Sequence, residues 1–599
     1  MTKVKMTPSE ALVETLVAEG VTTVFGIVGS AYMDALDLFP DAGIRFVSVA
    51  HEQAACHAAD GLARVTGRPQ ACIAQNGPGA ANFISALVAA YWAHSPVVAI
   101  APETGSMGIG TGGFQELDQM AMFEKQTVYQ VRVNRPERMA ELTRRCFYMA
   151  KNENGPAHLN IPRDYFYGIC EDEIYPTARI SRGIGSKESI KEAANLLVEA
   201  KYPVILAGGG VSQGDALEQV KALAEYLTAP VVNSYLHNDS FPAEHPLAVG
   251  PIGYCGSKAA MRTISEHPLA VGPIGYCGSK AAMRTISKAD VVIALGSRMG
   301  PFGKLPQYDM SYWPEKAKII QVDVDVKVLG LSLKVDVASC ADVKEYTSEL
   351  LDIVKTLKPG LEENKDRLSD VKNENITWDD ELAEWSSSTN KLMHPRRFLK
   401  ELTAAIPEGS IITTDIGNNS SMINSYLKFN NIRKHISALS WGNCGFAYGA
   451  AMGAKIGSPD TPVFAFQGDG AYGISGIAEV MTAVRENIPV IAVVANNLEW
   501  GAEKKNHIDY YDNRFVGVDL RENPDYAKLA EVMGAKGYLV DDYNDVHDVV
   551  KDAVSSGKPC VINAMIEGGE NVLAEPFRRD ALNLPVRYLS KYSHLNAKK

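Results

Sequence analysis

The 599-residue sequence predicts an α/β protein with three doubly wound parallel-sheet domains. Short runs of β-branched residues alternate with helical patterns, and these runs are apolar on both faces. Strands of that kind are buried on both sides and belong to parallel sheets covered by crossover helices. The runs fall into three series, and a chain of this length exceeds what one hydrophobic core can organise. Each series is therefore expected to form its own domain.

The first series predicts a domain over residues 1–180. A helix opens it, because Thr7, Pro8 and Glu10 form a capping-box start and Gly20 supplies a stop. Four strand patterns follow within about the first hundred residues. They are TTVFGIVG, IRFVSVAH, QACIAQNG and PVVAIAPE.

The second series predicts a central domain over residues 188–355, with the strand patterns PVILAGGG, APVVNSY, VVIALGS and KIIQVDVD. Within it, the 22-residue segment EHPLAVGPIGYCGSKAAMRTIS occurs at 244–265 and again, unchanged, at 266–287. Two identical copies differ from the diverged repeats of solenoid proteins and indicate a recent duplication or a sequence error. We expect one copy to be accommodated as extra irregular or helical material.

The third series predicts a domain over residues 376–567, followed by a tail over 568–599. The polar stretch that begins at Thr356, TLKPGLEENKDRLSDVKNEN, has the composition of a linker. The strand patterns after it are SIITTDIG, HISALSWG, PVFAFQGDG, PVIAVVANN and CVINAMI.

Composition narrows the classes of function. The net charge is −12 without a basic tract, so the electrostatic footprint of a nucleic-acid binder is missing. The nine cysteines include no CxxC pair and indicate reduced thiols in a cytoplasmic protein. No apolar run predicts a signal peptide or a membrane span.

One segment carries a candidate metal site. Asp469 stands between two glycines directly after the pattern PVFAF, and Asn497 ends the next strand pattern. Both are expected at the carboxyl edge of a parallel sheet, where such sheets bind ligands. A carboxylate, an amide oxygen and a nearby main-chain carbonyl, such as that of Glu499, are oxygen ligands suited to Mg²⁺. A lone Gly-Asp-Gly is more often an ordinary strand-to-helix turn.

The whole combination resembles the thiamine diphosphate binding motif, a GDG followed some 25 residues later by NN. The resemblance implies that thiamine diphosphate and Mg²⁺ are cofactors. Asp469, Asn497 and the carbonyl of Glu499 would be the metal ligands, and Gly468 and Gly470 would shape the diphosphate site.

The same resemblance implies a glutamate in a pyrimidine-binding N-terminal domain, and VSVAHEQAAC supplies Glu52. It would act as the catalytic acid–base group on the aminopyrimidine ring. Taken alone, Glu52 is an ordinary acid at a helix start. Further residues implied at the cofactor are Gly29, Asn76, Gly77, Pro78, Gly417, Asn418, Asn443, Cys444 and Gly445. Cys444 is smaller than the bulky residue that supports the bent cofactor in acetohydroxyacid synthases, so Trp441 or Met481 is an alternative support.

Within this superfamily the chain is most similar to the sulfoacetaldehyde acetyltransferases. The similar stretches span all three domains and include FGIVGSAYMDALDLFP, AAYWAHSPVVAIAPETG and NNLEWGAEKKNHIDYYDNRFVG. The resemblance implies conversion of sulfoacetaldehyde and phosphate into acetyl phosphate and sulfite, in the degradation of taurine and other sulfonates. The candidate substrate residues are Phe114, Gln115, Lys125, Trp500, Lys504 and Arg514, with Lys505 beside them. For each lysine, plain surface charge is the alternative. His51 and His94 are candidates for proton transfer, and Arg163 is expected to be structural.

Three alternatives stay open at this point: an acetohydroxyacid synthase-like carboligase, a phosphate-dependent pyruvate oxidase, and an inactive or regulatory homologue. FAD is not predicted, because GSRMGPFGKL carries no phosphate-binding fingerprint. In the superfamily, the glutamate and the metal site meet across a subunit interface. The resemblance therefore implies a homodimer as the minimum and a homotetramer as the expected assembly.

Overall fold

The computed structural model describes residues 3–178, 180–252, 278–300, 304, 311–438, 441–569, 572 and 586–596. It contains three six-stranded parallel sheets, one in each predicted domain region, and helices cover their faces. This architecture confirms the predicted fold class. A two-stranded antiparallel sheet adds to the N-terminal region.

The N-terminal sheet has the strand order β3-β2-β4-β5-β7-β6, and β1 pairs with β8 outside it. Its strands are β1 (Val4–Met6), β2 (Thr23–Gly26), β3 (Arg45–Ser48), β4 (Gln70–Ile73), β5 (Val97–Glu103), β6 (Tyr129–Arg132), β7 (Ala157–Pro162) and β8 (Cys170–Asp172). Its helices are Pro8–Ala18, Met33–Leu38, Glu52–Thr66, Pro78–Ala81, Ile84–Trp92, Gln119–Phe123 and Met139–Asn152. The predicted capping box at Thr7 and Glu10 is confirmed.

The central sheet has the order β11-β10-β9-β12-β13-β14. Its strands are β9 (Pro203–Ala207), β10 (Val231–Ser234), β11 (Ala248–Ile252), β12 (Val291–Leu295), β13 (Lys318–Asp323) and β14 (Val337–Cys340). Its helices are Lys187–Glu199, Gly209–Gln213, Leu217–Leu227, Lys280–Ile286 and Val343–Leu357.

The duplicated segment contributes one strand and one helix to the described central domain. Strand β11 comes from the first copy, whereas the helix Lys280–Ile286 comes from the second. The amide of Ser279 donates to the carbonyl of Pro251 and so joins the two parts. The prediction that one copy is extra material falls on residues 253–277, which lie outside the described residues.

The stretch predicted as a linker after Thr356 is largely helical, so that prediction is wrong. A helix runs over Lys365–Trp385, and its Val371, Trp378 and Leu382 are buried against the central domain. These three apolar residues lie on one stripe of an otherwise charged helix, which a composition-based assignment overlooks. Ion pairs to the helix Lys280–Ile286 and to Lys288 add to the contact.

The C-terminal sheet has the order β16-β15-β17-β18-β20-β19. Its strands are β15 (Ile411–Thr414), β16 (His435–Ser437), β17 (Val463–Gly468), β18 (Ile491–Asn496), β19 (Lys536–Val540) and β20 (Cys560–Met565). Its helices are Pro395–Ala405, Asn418–Ile423, Ala447–Gly457, Asp469–Ala471, Ile477–Arg485, Gly501–Tyr510, Tyr526–Val532 and Val546–Ser555, and a π-helical turn covers Tyr472–Gly476.

The N-terminal and C-terminal domains of one chain share a continuous hydrophobic core. Helix Glu52–Thr66 packs on helix Ala447–Gly457 so closely that two glycines are required. A Cβ atom added at Gly61 would lie 2.0 Å from the carbonyl oxygen of Ala450, and one at Gly453 would lie 1.8 Å from that of Ala58. This packing fixes the helix that begins at Glu52 relative to the C-terminal sheet.

The described residues bear on two expectations from the sequence, the absence of a membrane span and the reduced state of the cysteines. No helix described there is long and apolar enough to cross a membrane. The seven cysteines of the described ranges are free thiols, and most of them are buried. Cys255 and Cys277 lie outside the described residues.

Candidate active site

The predicted metal ligands come together at one edge of the C-terminal sheet. Strands β17 and β18 are hydrogen-bonded neighbours, and Gly468 pairs with Ala495. Asp469 follows the first strand directly and Asn497 follows the second, so both stand at the carboxyl edge. They line a cavity of about 360 Å³ together with Glu499 and Trp500.

Asp469 has the environment of a cation ligand. Its side chain is 1% exposed, and its Oδ2 atom has no hydrogen-bond partner. Burial, together with the nearby Glu499 carboxylate, raises the pKa of this carboxyl to about 7. A buried carboxylate without a counter-charge is costly, and a bound cation removes that cost. The orphaned oxygen therefore fits a metal ion.

Asn497 and Glu499 lie in a tightly turned loop, in which Leu498 has a positive φ of 56°. The side-chain amide nitrogen of Asn497 donates to Oε1 of Glu499 at 3.3 Å, which leaves the amide oxygen for a cation. The Glu499 carboxylate also accepts from the Gly569 amide at 3.0 Å and pairs with Lys504 at 2.5 Å. The side chain of Glu499 thus holds the loop, while its main-chain carbonyl stays the predicted ligand.

Two glycines leave room for a ligand beside these groups, and a third makes room for the Trp500 side chain. A Cβ atom added at Gly417 or Gly468 would meet no atom within 4 Å, and both residues line the cavity. Gly417 has a φ of 126°, which side-chain-bearing residues rarely adopt. At Gly470 a Cβ would lie 2.6 Å from the indole ring of Trp500. The cavity wall is therefore backbone, which is what an approaching diphosphate requires.

Asp415, which the sequence analysis did not single out, connects two loops that contribute residues to the cavity lining. Its buried carboxylate accepts from the amides of Ile416, Gly445 and Ala447 at 2.9, 3.1 and 2.9 Å. Burial raises its pKa to about 6. These bonds join the loop before Gly417 to the loop that holds Cys444. An acid directly after a buried strand was the signal that could have revealed it.

The three candidate supports for a bent cofactor, Cys444, Trp441 and Met481, differ in position. Cys444 and Trp441 both line the cavity, and the indole nitrogen of Trp441 donates to Ser85 of the N-terminal domain at 3.3 Å. Met481 lies on the helix Ile477–Arg485 and is 47% exposed. Next to Cys444, Asn443 contacts His57 through its amide nitrogen at 3.0 Å.

Glu52 is the first residue of its helix, directly after the corner that follows β3. It is buried, and its Oε2 accepts from the side-chain amide of Asn82 at 2.8 Å. A Cβ atom at Gly79 would lie 3.1 Å from Oε1, so this glycine leaves the carboxyl group its space. Neither Asn82 nor Gly79 was among the predicted site residues, although both follow the predicted Gly77 and Pro78 within a few residues.

The other N-terminal candidates form one hydrogen-bonded cluster through Gln75. Its side-chain nitrogen donates to Asn76 at 2.7 Å and to Gln115 at 3.0 Å, and Asn76 donates to the Gln115 carbonyl at 3.2 Å. Gly77, just before Pro78, has a φ of 66° and lies against that carbonyl, and Gly29 lies against the Gln75 side chain. Beside the cluster, Phe114 is 82% exposed.

The three candidate cations are each paired with an acidic side chain, and none of them lines the cavity. Lys504 is held between Glu499 and Asp519, Lys125 pairs with Glu124 on the surface, and Arg514 pairs with Asp512. Within the described ranges, the cavity lining includes no lysine or arginine. Their roles in anion binding stay predictions.

The remaining candidates also lie outside the cavity. Glu52 is not among its lining residues, so within one chain the two predicted halves occupy separate sheet edges. His94 lines a different cavity against the central domain, and His51 caps the helix of Glu52. Arg163 begins a short 3₁₀ turn after β7.

Comparison with known protein families identifies the enzyme family to which the chain belongs. The models for thiamine pyrophosphate enzymes match the N-terminal TPP binding domain over residues 6–122 and the C-terminal TPP binding domain over 415–564. The central domain matches in two overlapping pieces, 190–267 and 263–350, which meet within the duplicated segment. The chain belongs to the thiamine pyrophosphate enzymes.

Relatives within this family narrow the assignment. The chain is 50% identical to a sulfoacetaldehyde acetyltransferase of Castellaniella defragrans, over 98% of this chain and 97% of that protein. It is 48% identical to the one from Alcaligenes xylosoxydans xylosoxydans, with the same coverage. A probable acetolactate synthase large subunit of Methanocaldococcus jannaschii is 31% identical over 94% of this chain and 93% of that protein. Within the thiamine pyrophosphate enzymes, the chain therefore groups with the sulfoacetaldehyde acetyltransferases.

A solved structure supports the fold. The thiamine diphosphate-dependent 4-hydroxybenzoylformate decarboxylase of Rhodococcus jostii RHA1 aligns with a TM-score of 0.77 at 23% identity. The alignment covers 94% of this chain and all of that one. At this identity the likeness concerns the three-domain fold alone.

Proposed function

We propose that this protein is an acyltransferase that converts sulfoacetaldehyde and inorganic phosphate into acetyl phosphate and sulfite. The relatives at 50% and 48% identity, which match along nearly the whole chain, support the substrate. Bound thiamine diphosphate would supply a nucleophilic thiazolium carbon and an electron sink, which no amino-acid side chain provides. The chain's own residues bind and orient that group and handle the protons.

The observation that carries this proposal is the orphaned Oδ2 atom of Asp469 beside a backbone-lined cavity. Asp469, the oxygen of Asn497 and the main-chain carbonyl of Glu499 would hold Mg²⁺. The metal ion would in turn bind the diphosphate, which the open backbone at Gly417 and Gly468 lets approach. Asn418, Asn443, Cys444 and Gly445 would complete the cofactor site.

Glu52 would exchange a proton with the aminopyrimidine ring, and burial keeps that exchange away from water. Asn82 orients its carboxyl group, while Gly29, Asn76, Gly77 and Pro78 would shape the ring pocket. Because Glu52 and Asp469 stand on different sheet edges, we propose that one chain's Glu52 completes its partner's site. A homodimer is then the smallest active unit, and a homotetramer is the expected assembly.

Both proposed substrates are anions, so the channel needs donors or cations near the cofactor. Trp500 lines the cavity and Gln115 is tied to the ring pocket, which supports both as substrate contacts. Phe114, Lys125, Lys504 and Arg514 are the further candidates.

The test is to incubate the purified protein with sulfoacetaldehyde, phosphate, Mg²⁺ and thiamine diphosphate while sulfite and acetyl phosphate are measured. Equal amounts of both products are expected. Without phosphate, acetyl phosphate should not form, and sulfite release should not continue through repeated turnovers. A parallel reaction with pyruvate serves as the comparison, because the acetolactate synthase relative raises that alternative. Acetolactate from pyruvate with no sulfite from sulfoacetaldehyde would reject the proposal.

A further inference from the structure

The helix that follows the Gly-Asp-Gly turn carries a second buried carboxyl group, Glu479, which contacts the N-terminal domain. Its side chain is fully buried. Oε1 accepts from the amide of His51 at 3.0 Å, and both carboxylate oxygens accept from the amide of Ala50 at 3.2 Å. These two amides belong to the residues directly before Glu52.

We propose that Glu479 is a positioning residue that fixes the backbone from which Glu52 projects. The inference rests on the acid–base role proposed for Glu52. It concerns an interaction between two domains of one chain and requires no contact of Glu479 with the cofactor.

The corner between β3 and the helix Glu52–Thr66 needs such support. Residues Ala50 and His51 are themselves exposed in the chain, so side-chain packing does not hold them. The imidazole of His51 is occupied as the helix cap, because its Nδ1 accepts from the Gln53 amide at 3.2 Å. The Glu479 carboxylate thus supplies the contact that fixes both backbone amides.

The contact is of a strong kind. Hydrogen bonds between an ionised carboxylate and backbone amides are shorter and about twice as strong as neutral ones. A negative charge at the N-terminus of a 15-residue helix is also favoured by the helix dipole. Burial raises the pKa of Glu479, while the two amides and Arg485 act in the opposite direction.

The same helix also holds β3 through its exposed end. The guanidinium of Arg485 donates to the carbonyl of Ser48, and Arg45 pairs with Glu486 at 3.5 Å. The contacts of Arg485 and Glu486 are made with residues of β3. Among the described contacts of this helix, only those of Glu479 are made with the two residues before Glu52. Arg485 therefore offers a matched control in which an interdomain contact and a nearby positive charge are lost while Glu479 keeps its hydrogen bonds to both amides.

The helical run also connects two parts of the proposed chemistry. It begins at Asp469, passes through the π-helical turn Tyr472–Gly476 and continues to Arg485. A π-helical turn changes the direction in which later side chains point and is frequent near functional sites. One continuous segment thus carries a proposed metal ligand at its start and the contact to the Glu52 corner ten residues later.

Loss of the Glu479 contact should impair proton transfer more than substrate binding. A displacement of about 1 Å in a group that must meet a ring nitrogen can cost on the order of 100-fold in rate. The expected signature is a fall in kcat with little change in KM for sulfoacetaldehyde. A residue that merely stabilises the fold would lower the amount of active protein and leave the remaining sites unchanged.

The test compares wild type with Glu479→Ala, Glu479→Gln and Arg485→Ala in two measurements. The first is amide hydrogen exchange of Ala50 and His51 in the cofactor-free protein. The second is deuterium exchange of the thiazolium ring proton of bound thiamine diphosphate, measured after acid quench by proton NMR. For Glu479→Ala we expect amide exchange to be roughly tenfold faster and ring-proton exchange at least roughly tenfold slower. Glu479→Gln keeps an acceptor oxygen, so its amide exchange and its ring-proton exchange should both lie close to the wild-type rates. Arg485→Ala should match wild type in both measurements.

Faster amide exchange in Glu479→Ala together with wild-type ring-proton exchange would overturn the inference. Glu479 would then hold the backbone at Ala50 and His51 without any effect on proton transfer. If Glu479→Ala does not fold, Glu479→Asp replaces it, because it keeps the charge but withdraws it by one methylene. Wild-type ring-proton exchange in that variant would overturn the inference equally. Failure of the proposed function is a different result, since wild type itself would then release no sulfite from sulfoacetaldehyde, whatever the ring-proton exchange of the variants.

Discussion

The two halves of the proposed site differ in how their polar groups are satisfied. At the C-terminal sheet edge, Asp469 is buried with an oxygen that has no protein partner. At the N-terminal edge, Glu52 is bonded to Asn82, and Gln75 links Asn76 to Gln115. The buried Asp469 carboxylate at the first edge thus has an oxygen that a cation could bind, whereas the polar side chains at the second edge are fixed by hydrogen bonds to one another. For the proposed function, the difference predicts that cofactor binding depends mainly on the C-terminal edge and acid–base chemistry on the N-terminal edge.

Replacement of the metal ligand should have the largest effect. In Asp469→Ala, loss of a metal contribution of several kcal/mol should lower activity by roughly 10³-fold or more. Calorimetric titration with Mg²⁺ and thiamine diphosphate should show that binding is lost. Tight binding with full activity would show that the C-terminal edge does not hold the metal.

Removal of the acid–base group should separate catalysis from binding. Glu52→Gln keeps the shape and the bond to Asn82, but it cannot exchange the proton, so kcat should fall by roughly 10²–10³-fold. The affinity for thiamine diphosphate should stay within a few-fold of wild type in the same calorimetric titration. A loss of affinity as large as that in Asp469→Ala would remove the distinction between the two edges.

The pH dependence of metal binding should report on Asp469. Its pKa is raised from 3.8 to about 7 in the cofactor-free protein, so the folded state holds a proton that Mg²⁺ must displace. Affinity should therefore rise with pH by up to about tenfold per unit below pH 7 and level off above it. The raised pKa also predicts how stability depends on pH. Between about pH 4 and 7 the unfolded chain has lost this proton while the folded protein still holds it, so the stability of the cofactor-free protein falls as pH rises through this range. In Asp469→Asn the pH dependence of Mg²⁺ affinity should be lost, and the fall in stability should be smaller than in wild type, because the buried Asp415 carboxyl, with its pKa raised to about 6, still contributes.

Two neighbouring glycines should give the smallest and most selective effects. In Gly470→Ala the new methyl group collides with Trp500, which should destabilise the protein by about 1–3 kcal/mol. Gly468→Ala meets open space at an ordinary backbone conformation and should change stability by less than about 0.5 kcal/mol. Its methyl group would enter the cavity, so cofactor affinity should fall instead. Thermal unfolding and calorimetry of both variants would test the contrast.

Prediction from the sequence worked best for buried central strands. All thirteen strand patterns correspond to strands of the sheets, including β17 and β18 around the metal site. The five strands that were missed in the three sheets include the edges β6, β11, β14 and β19. Edge strands are covered on fewer sides, so their apolar pattern is weaker. The helix Lys365–Trp385 was mistaken for a linker because its few buried residues are diluted by charge.

The sequence by itself determined the three parallel sheets, the placement of Asp469 and Asn497 at a strand edge, and the glycines around them. These features follow from local patterns, since the carboxyl ends of adjacent parallel strands always meet at one edge. Only the tertiary structure decided that Asp415 joins two loops, that Asn82 orients Glu52 and that Glu479 reaches the corner before it. Those contacts join residues between 30 and 429 positions apart, and long-range packing has no signature in a local sequence pattern.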